Sequence, residues 1–133
     1  MSIIDVNGLT CDYGRGRGVF DLHFQVEPGE VFGFLGPNAS GKTTTIRHLM
    51  GFAKPASGSC QIEGRDCFQS AAVIQETLGY LPGDICLFPD MTGRAFLSFM
   101  SRFRGMKHAG RTKELTERFE LDILQPIRRM SKG

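Results

Sequence analysis

Apolar and polar residues alternate with a period of two in VFDLHFQV, residues 19–26. The apolar positions, every second residue from Phe20 to Val26, fall on one side of an extended chain, and the polar residues fall on the other. This pattern predicts a half-buried strand. A shorter strand is predicted near the N-terminus, and it is expected to end in a turn at Asn7-Gly8.

Two further segments, EVFGFL at 30–35 and TLGYLP at 77–82, are apolar without alternation. Strands that are covered on both faces, as in a parallel sheet, show such runs. Each segment is therefore predicted to be a buried strand. The sequence KTTTIRHLMGF, which begins at residue 42, predicts a helix. Its apolar face is expected to consist of Ile46, Leu49 and Met50.

The pattern becomes helical in the last third of the chain. Four apolar residues recur at i, i+3, i+4 and i+7, which predicts an amphipathic helix: Phe96, Phe99, Met100 and Phe103. A second helix is predicted around Leu115 and Phe119, and a shorter one over residues 69–76. A β-rich front, an α/β centre and a helical rear indicate a layered nucleotide-binding module. We expect one domain, with its core over 1–90 and an incomplete helical part over 91–133.

Composition narrows the functional classes. The 133 residues fit one domain or part of one. The N-terminus lacks the basic start and apolar run of a secretion signal, and no stretch approaches the roughly 18 consecutive apolar residues of a membrane span. The four cysteines form no CxxC pair, so a reducing cytosol fits better than a disulfide framework or a zinc cluster. Each cysteine is interpreted as a small buried apolar residue.

Charge is spread unevenly along the chain. Residues 1–93 hold 6 Lys and Arg against 10 Asp and Glu, a balance of −4, and residues 94–133 hold 10 against 4, a balance of +6. A basic end can meet nucleic acid or anionic lipid. Here the basic residues are interleaved with acidic and apolar ones, which favours a solvated helix face.

The segment FLGPNASGKTTT matches the pattern GxxxxGK[ST] through Gly36, Gly41, Lys42 and Thr43. A predicted strand precedes it and a predicted helix follows, as this pattern requires. Glycines let the backbone turn with its N–H groups inward, and the helix start adds a partial positive charge. Lys42 supplies a cation for the β and γ phosphates, and the Thr43 hydroxyl is a ligand suited to Mg²⁺. The segment is predicted to bind a polyphosphate.

GPNASGKTTT, with VEPGEVFGFLGPN ahead of it, resembles the ATPase subunit of ABC transporters, and the likeness covers the whole chain. It implies an α/β fold of the P-loop NTPase class and ABC-ATPase type, with an antiparallel β front, a partial parallel core sheet and the start of a helical subdomain. Tyr13 matches the aromatic residue that stacks on adenine in this family; the alternative is a tyrosine that packs on the sheet edge. The resemblance also implies that ATP and Mg²⁺ are bound by Gly36, Pro37, Asn38, Ala39, Ser40, Gly41, Lys42, Thr43 and Thr44.

GYLPGD, residues 79–84, falls where the family has a glutamine after the proline, which reaches Mg²⁺ and the attacking water. This chain has Gly83 and then Asp84 instead. Two alternatives remain open: Asp84 supplies an oxygen to the metal, or it is a plain turn acid. The form LPGD resembles the branch of the family that serves exporters.

MSKG, residues 130–133, resembles the first four residues of the ABC signature; the alternative is a polar terminus. In the family this segment starts a helix, and its serine and glycine amides, here Ser131 and Gly133, reach across a dimer to the γ-phosphate held by the other subunit. The chain is accordingly expected to be the N-terminal portion of the domain, ending inside this motif.

Hydrolysis in this family also needs a buried strand that ends in Asp-Glu, and a switch histidine. ICLFPD is interrupted by Pro89, and no glutamate follows Asp90. None of the three histidines lies where the switch histidine is expected, and they are interpreted as structural or solvated: His23, His48 and His108. No catalytic residue is therefore assigned, and the chain alone is expected to bind without efficient hydrolysis. Its half-sheet would expose an apolar edge, which predicts marginal stability.

Three functions remain in competition. The first is an ABC transport ATPase on the cytoplasmic, inner face of the cell membrane. It would bind Mg-ATP, form a head-to-tail dimer with a second ATPase subunit and drive export by a membrane permease. The second is a truncated nucleotide-binding fragment without turnover. The third is a DNA-associated ABC-type ATPase, which the absence of coiled-coil heptads disfavours, so no nucleic acid partner is expected.

Overall fold

The computed structural model describes residues 1–105 and 109–131. It divides into two compact units, Met1–Tyr80 and Leu81–Gly133. The predicted boundary at residue 90 remains a prediction about the domain. His108 and Gly133, which the sequence analysis discussed, lie outside the described residues.

The first unit is built on a four-stranded antiparallel sheet with the order β2-β1-β3-β4. Its strands are β1 Ile4–Asp12, β2 Gly18–Val26, β3 Ser57–Ile62 and β4 Arg65–Asp66. The alternation in β2 gives one face of the sheet to a core, as an antiparallel sheet requires. The predicted antiparallel β front is thus confirmed.

Irregularities in β1 and β2 change two details of the prediction. β1 runs straight through Asn7 and Gly8 with a register shift, so the predicted turn there is wrong. In β2, Asp21 has a φ of 49°, and its N–H donates to the Thr10 hydroxyl at 3.0 Å. Because of this irregularity, the residues before Asp21 face the opposite way from the predicted alternation: Val19 is buried and Phe20 is exposed. Period-two reasoning cannot detect such an extra residue.

One cluster of buried side chains holds the first unit together: Val6, Leu9, Val19, Cys60, Ile62, Cys67 and Ile74. The prediction of buried cysteines is confirmed for Cys60 and Cys67, but Cys11 is half-buried and Cys86 is exposed. Burial raises the pKa of the Cys60 thiol to about 11 and that of Cys67 to about 12. Both side chains therefore remain protonated thiols and act as core residues.

Two helices accompany this sheet, α1 Lys42–Leu49 and α2 Ala71–Thr77, and both confirm predicted helices. The buried side chains of α1 are Thr45 and His48, whereas Ile46 on the predicted apolar face is exposed. The predicted apolar face is therefore wrong at Ile46, whereas Met50 is buried and Leu49 is half-buried against the core as predicted. His48 fits this site because its Nδ1 bonds the Thr44 carbonyl at 2.8 Å within the helix.

The two predicted buried strands, residues 30–35 and 77–82, are not strands in the structure. Val31 and Leu35 are 98% and 93% exposed, and Leu81 is 80% exposed, so the prediction of burial is wrong. No described strand pairs with either segment, and an extended chain needs such a neighbour for its backbone hydrogen bonds. One side of the first segment is covered, since Phe24 of β2 stacks on Phe32 at 5.3 Å between ring centroids.

The second unit contains α3 Gly93–Phe103, α4 Ala109–Arg118 and a 3₁₀ turn at Ile127–Arg129. Both helices confirm the predicted ones. The Thr92 hydroxyl caps α3 by accepting the Ala95 N–H at 3.2 Å. Gly93 is buried where a Cβ would lie 2.9 Å from the Met130 methyl carbon.

Candidate phosphate-binding loop

The loop between residues 35 and 42 contains two glycines whose Cα atoms lie close to neighbouring atoms. Gly41 has a φ of 90°, and a Cβ there would lie 2.5 Å from the Val19 Cγ2. A Cβ on Gly36 would lie 2.7 Å from the Ser40 hydroxyl oxygen. Ala39, between them, also has a positive φ of 65°. Close approach and positive φ thus require glycine at position 41, whereas a Cβ at position 36 would displace the Ser40 side chain.

Helix α1 begins directly after this turn and leaves its first backbone N–H groups without acceptors inside the helix. Gly41 is the N-cap residue and has no side chain to satisfy them. The Thr45 hydroxyl donates to the Gly41 carbonyl at 2.9 Å, and the Thr45 N–H donates to the same oxygen at 2.8 Å. This anchoring holds the N-terminus of α1 in place as a donor-rich end that suits an anion.

The Lys42 ammonium lies over the loop and donates three hydrogen bonds. Its acceptors are the Gly36 carbonyl at 2.5 Å, the Pro37 carbonyl at 2.7 Å and the Ser40 hydroxyl at 3.2 Å. All three acceptors are neutral, and among the described residues no carboxylate forms an ion pair with Lys42. A half-buried ammonium without an acidic partner is suited to a phosphate, which would supply the missing negative charge.

The remaining loop positions follow the predicted order. Asn38 is exposed in the turn that the Ser40 N–H closes on the Pro37 carbonyl at 3.2 Å. Thr43 is exposed at the first turn of α1, where its hydroxyl is accessible to a ligand, and Thr44 is half-buried beside it. The loop therefore offers backbone N–H groups, one cation and a hydroxyl oxygen, a donor set that fits a Mg²⁺-bound polyphosphate.

The hairpin between β1 and β2 lies against the loop, a contact that sequence reasoning missed. Its residues Gly18 and Val19 are the neighbours that a Cβ on Gly41 would strike, at 3.0 Å from the Gly18 carbonyl oxygen and at 2.5 Å from Val19. Tyr13 begins the turn of this hairpin and is about half exposed. The adjoining cavity of about 390 Å³ is lined by Phe20, Leu22, Phe34, Leu35, Lys42 and Thr45, among others.

The other predicted site residues lie in the second unit. Asp84 is exposed in a bend, and Ser131 is exposed after the 3₁₀ turn, outside any helix. Gly133 lies outside the described residues. The contributions of Asp84, Ser131 and Gly133 to the site therefore stay predictions. The described part of the chain contains no cluster of three or more metal-ligating side chains. Its helices are too short or too polar to cross a membrane.

Comparisons with known proteins identify the family. The model of the family described as ABC transporter matches residues 19–133. The chain is 40% identical over 106 residues to "Nod factor export ATP-binding protein I" of Paraburkholderia xenovorans, which covers 80% of this chain and 35% of that protein. It is 34% identical over 116 residues to "Bacitracin transport ATP-binding protein BcrA" of Bacillus licheniformis, covering 87% of this chain and 38% of that protein.

A solved structure described as the ATP-binding subunit of an ABC transporter superposes with a TM-score of 0.80 at 25% identity. The match covers 99% of this chain and 57% of that one. Fold and loop together define a P-loop nucleotide-binding protein, and the chain belongs to the ABC transporter ATP-binding family. It spans between about a fifth and a half of the length of the curated relatives that it matches.

Proposed function

We propose that this chain binds Mg-ATP as the nucleotide-binding part of an ABC transporter ATPase that drives export. The observation that carries the proposal is the Lys42 ammonium, which lies over a glycine turn with three neutral acceptors and no acidic partner among the described residues. Relatives named for Nod factor export and SkfA peptide export support the direction of transport. The permease partner would place the protein on the inner face of the cell membrane.

Each predicted site residue has a role in this proposal. The backbone N–H groups from Gly36 to Thr44 bind the phosphate oxygens, and Lys42 neutralises charge on the β and γ phosphates. Thr43 is the metal-binding hydroxyl, with Asp84 as a further oxygen ligand. Bound Mg²⁺ would neutralise the charge that develops during phosphoryl transfer. Tyr13 provides a flat surface for adenine.

Residues of the signature complete the site in a head-to-tail dimer. Ser131 and Gly133 of one subunit contact the γ-phosphate that the loop of a second ATPase subunit holds. A nucleotide-dependent dimer is therefore part of the proposed function, and analytical ultracentrifugation with and without Mg-ATP measures it directly.

Binding without turnover is the second candidate. It follows from the sequence, in which no Asp-Glu pair ends a predicted strand and no histidine matches the switch position. Calorimetric titration with Mg-ATP, run beside a phosphate-release assay, separates the two candidates. Saturable binding with phosphate release supports the ATPase, and saturable binding without release supports the second candidate.

The critical variant is Lys42→Ala, with Lys54→Ala as its matched control. Both changes remove one lysine charge, but Lys54 is exposed outside the loop. We expect Lys42→Ala to weaken Mg-ATP binding by roughly a hundredfold, since a charge-assisted contact to phosphate is lost. Lys54→Ala should stay within about twofold of the original chain. Equal affinities of the two variants would remove the role assigned to Lys42.

A further inference from the structure

The turn between β1 and β2 carries two arginines, in the sequence GRGRG at residues 14–18. Arg15 and Arg17 are both exposed, and neither forms an ion pair with a described carboxylate. The turn is tightly bonded: the Tyr13 N–H donates to the Arg17 carbonyl at 2.8 Å, and the Arg17 N–H donates to the Gly14 carbonyl at 3.2 Å. Arg17 is therefore held beside Tyr13 by backbone contacts.

The same residue is also next to the phosphate loop. Arg17 directly precedes Gly18, whose carbonyl oxygen would lie 3.0 Å from a Cβ on Gly41. Arg17 is thus one residue from the contact with the loop and one hydrogen bond from Tyr13. Arg15 differs, because it lies at the outer part of the turn with a φ of 57° and is three residues from Gly18.

We propose that Arg17 binds the α-phosphate of the nucleotide. The inference rests on the proposed function, in which Tyr13 contacts the base and Lys42 contacts the β and γ phosphates. The α-phosphate lies between these two ends of the nucleotide. Arg17 is bonded through its carbonyl to the Tyr13 N–H and is followed in the chain by Gly18, which approaches the phosphate loop. Its guanidinium offers a planar set of donors that suits phosphate oxygens.

This assignment predicts how affinity depends on the nucleotide. ATP and ADP both carry an α-phosphate, so Arg17→Ala should weaken binding of Mg-ATP and Mg-ADP by the same factor, roughly five- to tenfold. Arg15→Ala removes the same charge from the same turn and is the matched control. It should change either affinity by less than about twofold, since an exposed charge at a distance is screened by solvent and salt.

The test is calorimetric titration of the full 133-residue chain and its variants with Mg-ATP and with Mg-ADP. Arg17→Lys is added because it keeps the charge and loses the planar fork; we expect it to recover part of the lost affinity. Equal effects of Arg17→Ala and Arg15→Ala would overturn the proposal, because they would indicate a long-range electrostatic effect of the positive charge and not a direct contact with the phosphate. A loss confined to ATP would also overturn it, because it would indicate a contact to the γ-phosphate.

Failure of this inference and failure of the proposed function give different results. If the unchanged chain binds neither nucleotide, the proposed function is wrong. If it binds both, and Arg17→Ala binds them with unchanged affinity, only the role of Arg17 is wrong. Circular dichroism spectra of the variants should match that of the original chain, because both arginines are exposed and their side chains form no hydrogen bond or ion pair with the described residues.

Discussion

The two units of this chain use their apolar residues in different ways. The first unit, Met1–Tyr80, buries seven side chains in one cluster. Strands β1, β2 and β3, the residue that follows β4, and helix α2 supply them. In the second unit, Leu81–Gly133, Gly93 is the only described residue that is buried. The apolar stripe of α3 is present, but Phe99 and Phe103 stack on each other at 6.2 Å while Phe103 stays 78% exposed.

A sequence pattern is often used to predict both that a helix forms and that its apolar side is buried. The difference between the two units shows that these are separate properties. A period near 3.6 predicts that a helix forms and which side of it is apolar. Burial of that side requires a second surface that packs against it, and the pattern contains no information about whether that surface exists. The first unit supplies such a surface within itself, whereas in the second unit Phe88 covers part of the apolar side of α3, against Phe96 and Phe99, and Phe103 stays exposed.

The comparison is tested most strongly by truncating one apolar side chain in each unit. Leu9 is fully buried in the cluster of the first unit, so Leu9→Ala should lower the free energy of unfolding by about 2–5 kcal/mol. Phe103→Ala removes a larger side chain in the second unit but should change the same quantity by less than about 0.5 kcal/mol. Urea denaturation measures both. Similar losses would mean that α3 is covered in solution.

A second test uses a glycine with positive φ in each unit. Gly41→Ala should lower the free energy of unfolding by about 2–4 kcal/mol, from backbone strain and from a Cβ placed 2.5 Å from Val19. Gly105→Ala, at a φ of 65° with no described residue within 4 Å of its Cβ, should cost only the strain, about 1–2 kcal/mol. Thermal and urea unfolding of both variants measure the difference.

A nucleotide titration of the same two variants extends that test. Gly41→Ala should also weaken Mg-ATP binding, because it displaces the turn that aims the first N–H groups of α1. Gly105→Ala should leave binding unchanged. A Gly41→Ala variant with full stability and affinity would show that the close contact with Val19 is absent in solution.

The third test concerns the buried polar residue of α1. The Nε2 atom of His48 is buried and has no hydrogen-bond partner among the residues that the structure describes, a condition that costs free energy. His48→Met should therefore raise the free energy of unfolding by about 1 kcal/mol. Arg47→Met, an exposed neighbour on the same helix, is the control and should stay within about 0.5 kcal/mol. Destabilisation by His48→Met would indicate that Nε2 has a partner in solution.

A further test is a pH dependence that arises from two buried thiols of the first unit. Burial raises the pKa of Cys60 to about 11 and of Cys67 to about 12, above the ordinary thiol value of 9.0. The unfolded chain releases these protons first, so their contribution to stability is complete below about pH 9 and is lost as the pH rises through 11 to 12.

Urea midpoints between pH 8 and pH 10 measure the first part of this decline. The variant with Cys60→Ala and Cys67→Ala should show a shallower dependence on pH than the original chain. Cys86→Ala is the control, since Cys86 is exposed and the change should leave the slope as it was. Identical slopes in all three proteins would exclude the buried thiols as the source.

Sequence reasoning succeeded where neighbouring residues determine the structure. Helices were predicted at the positions of α1, α2, α3 and α4, and the alternation in β2 predicted a half-buried strand, whereas the antiparallel front was implied by the family resemblance. The pattern failed at Asp21, where one extra residue reverses inside and outside, and at Ile46, which was placed on the apolar face of α1 and is exposed. Both outcomes depend on packing partners that are distant in sequence.

The phosphate loop and the segment before it show the same division. The turn is held by local contacts, because Lys42 bonds carbonyls only five and six residues away and Gly36 approaches Ser40; the close approach of Gly41 to Val19 of β2 is a contact distant in sequence. Residues 30–35 carry an apolar pattern equally clear in sequence, yet Val31 and Leu35 remain exposed. A loop of this kind forms most of its hydrogen bonds within itself, so the sequence by itself determined its turn. A strand needs a second strand as its hydrogen-bond partner, so only the tertiary structure decided whether residues 30–35 form one.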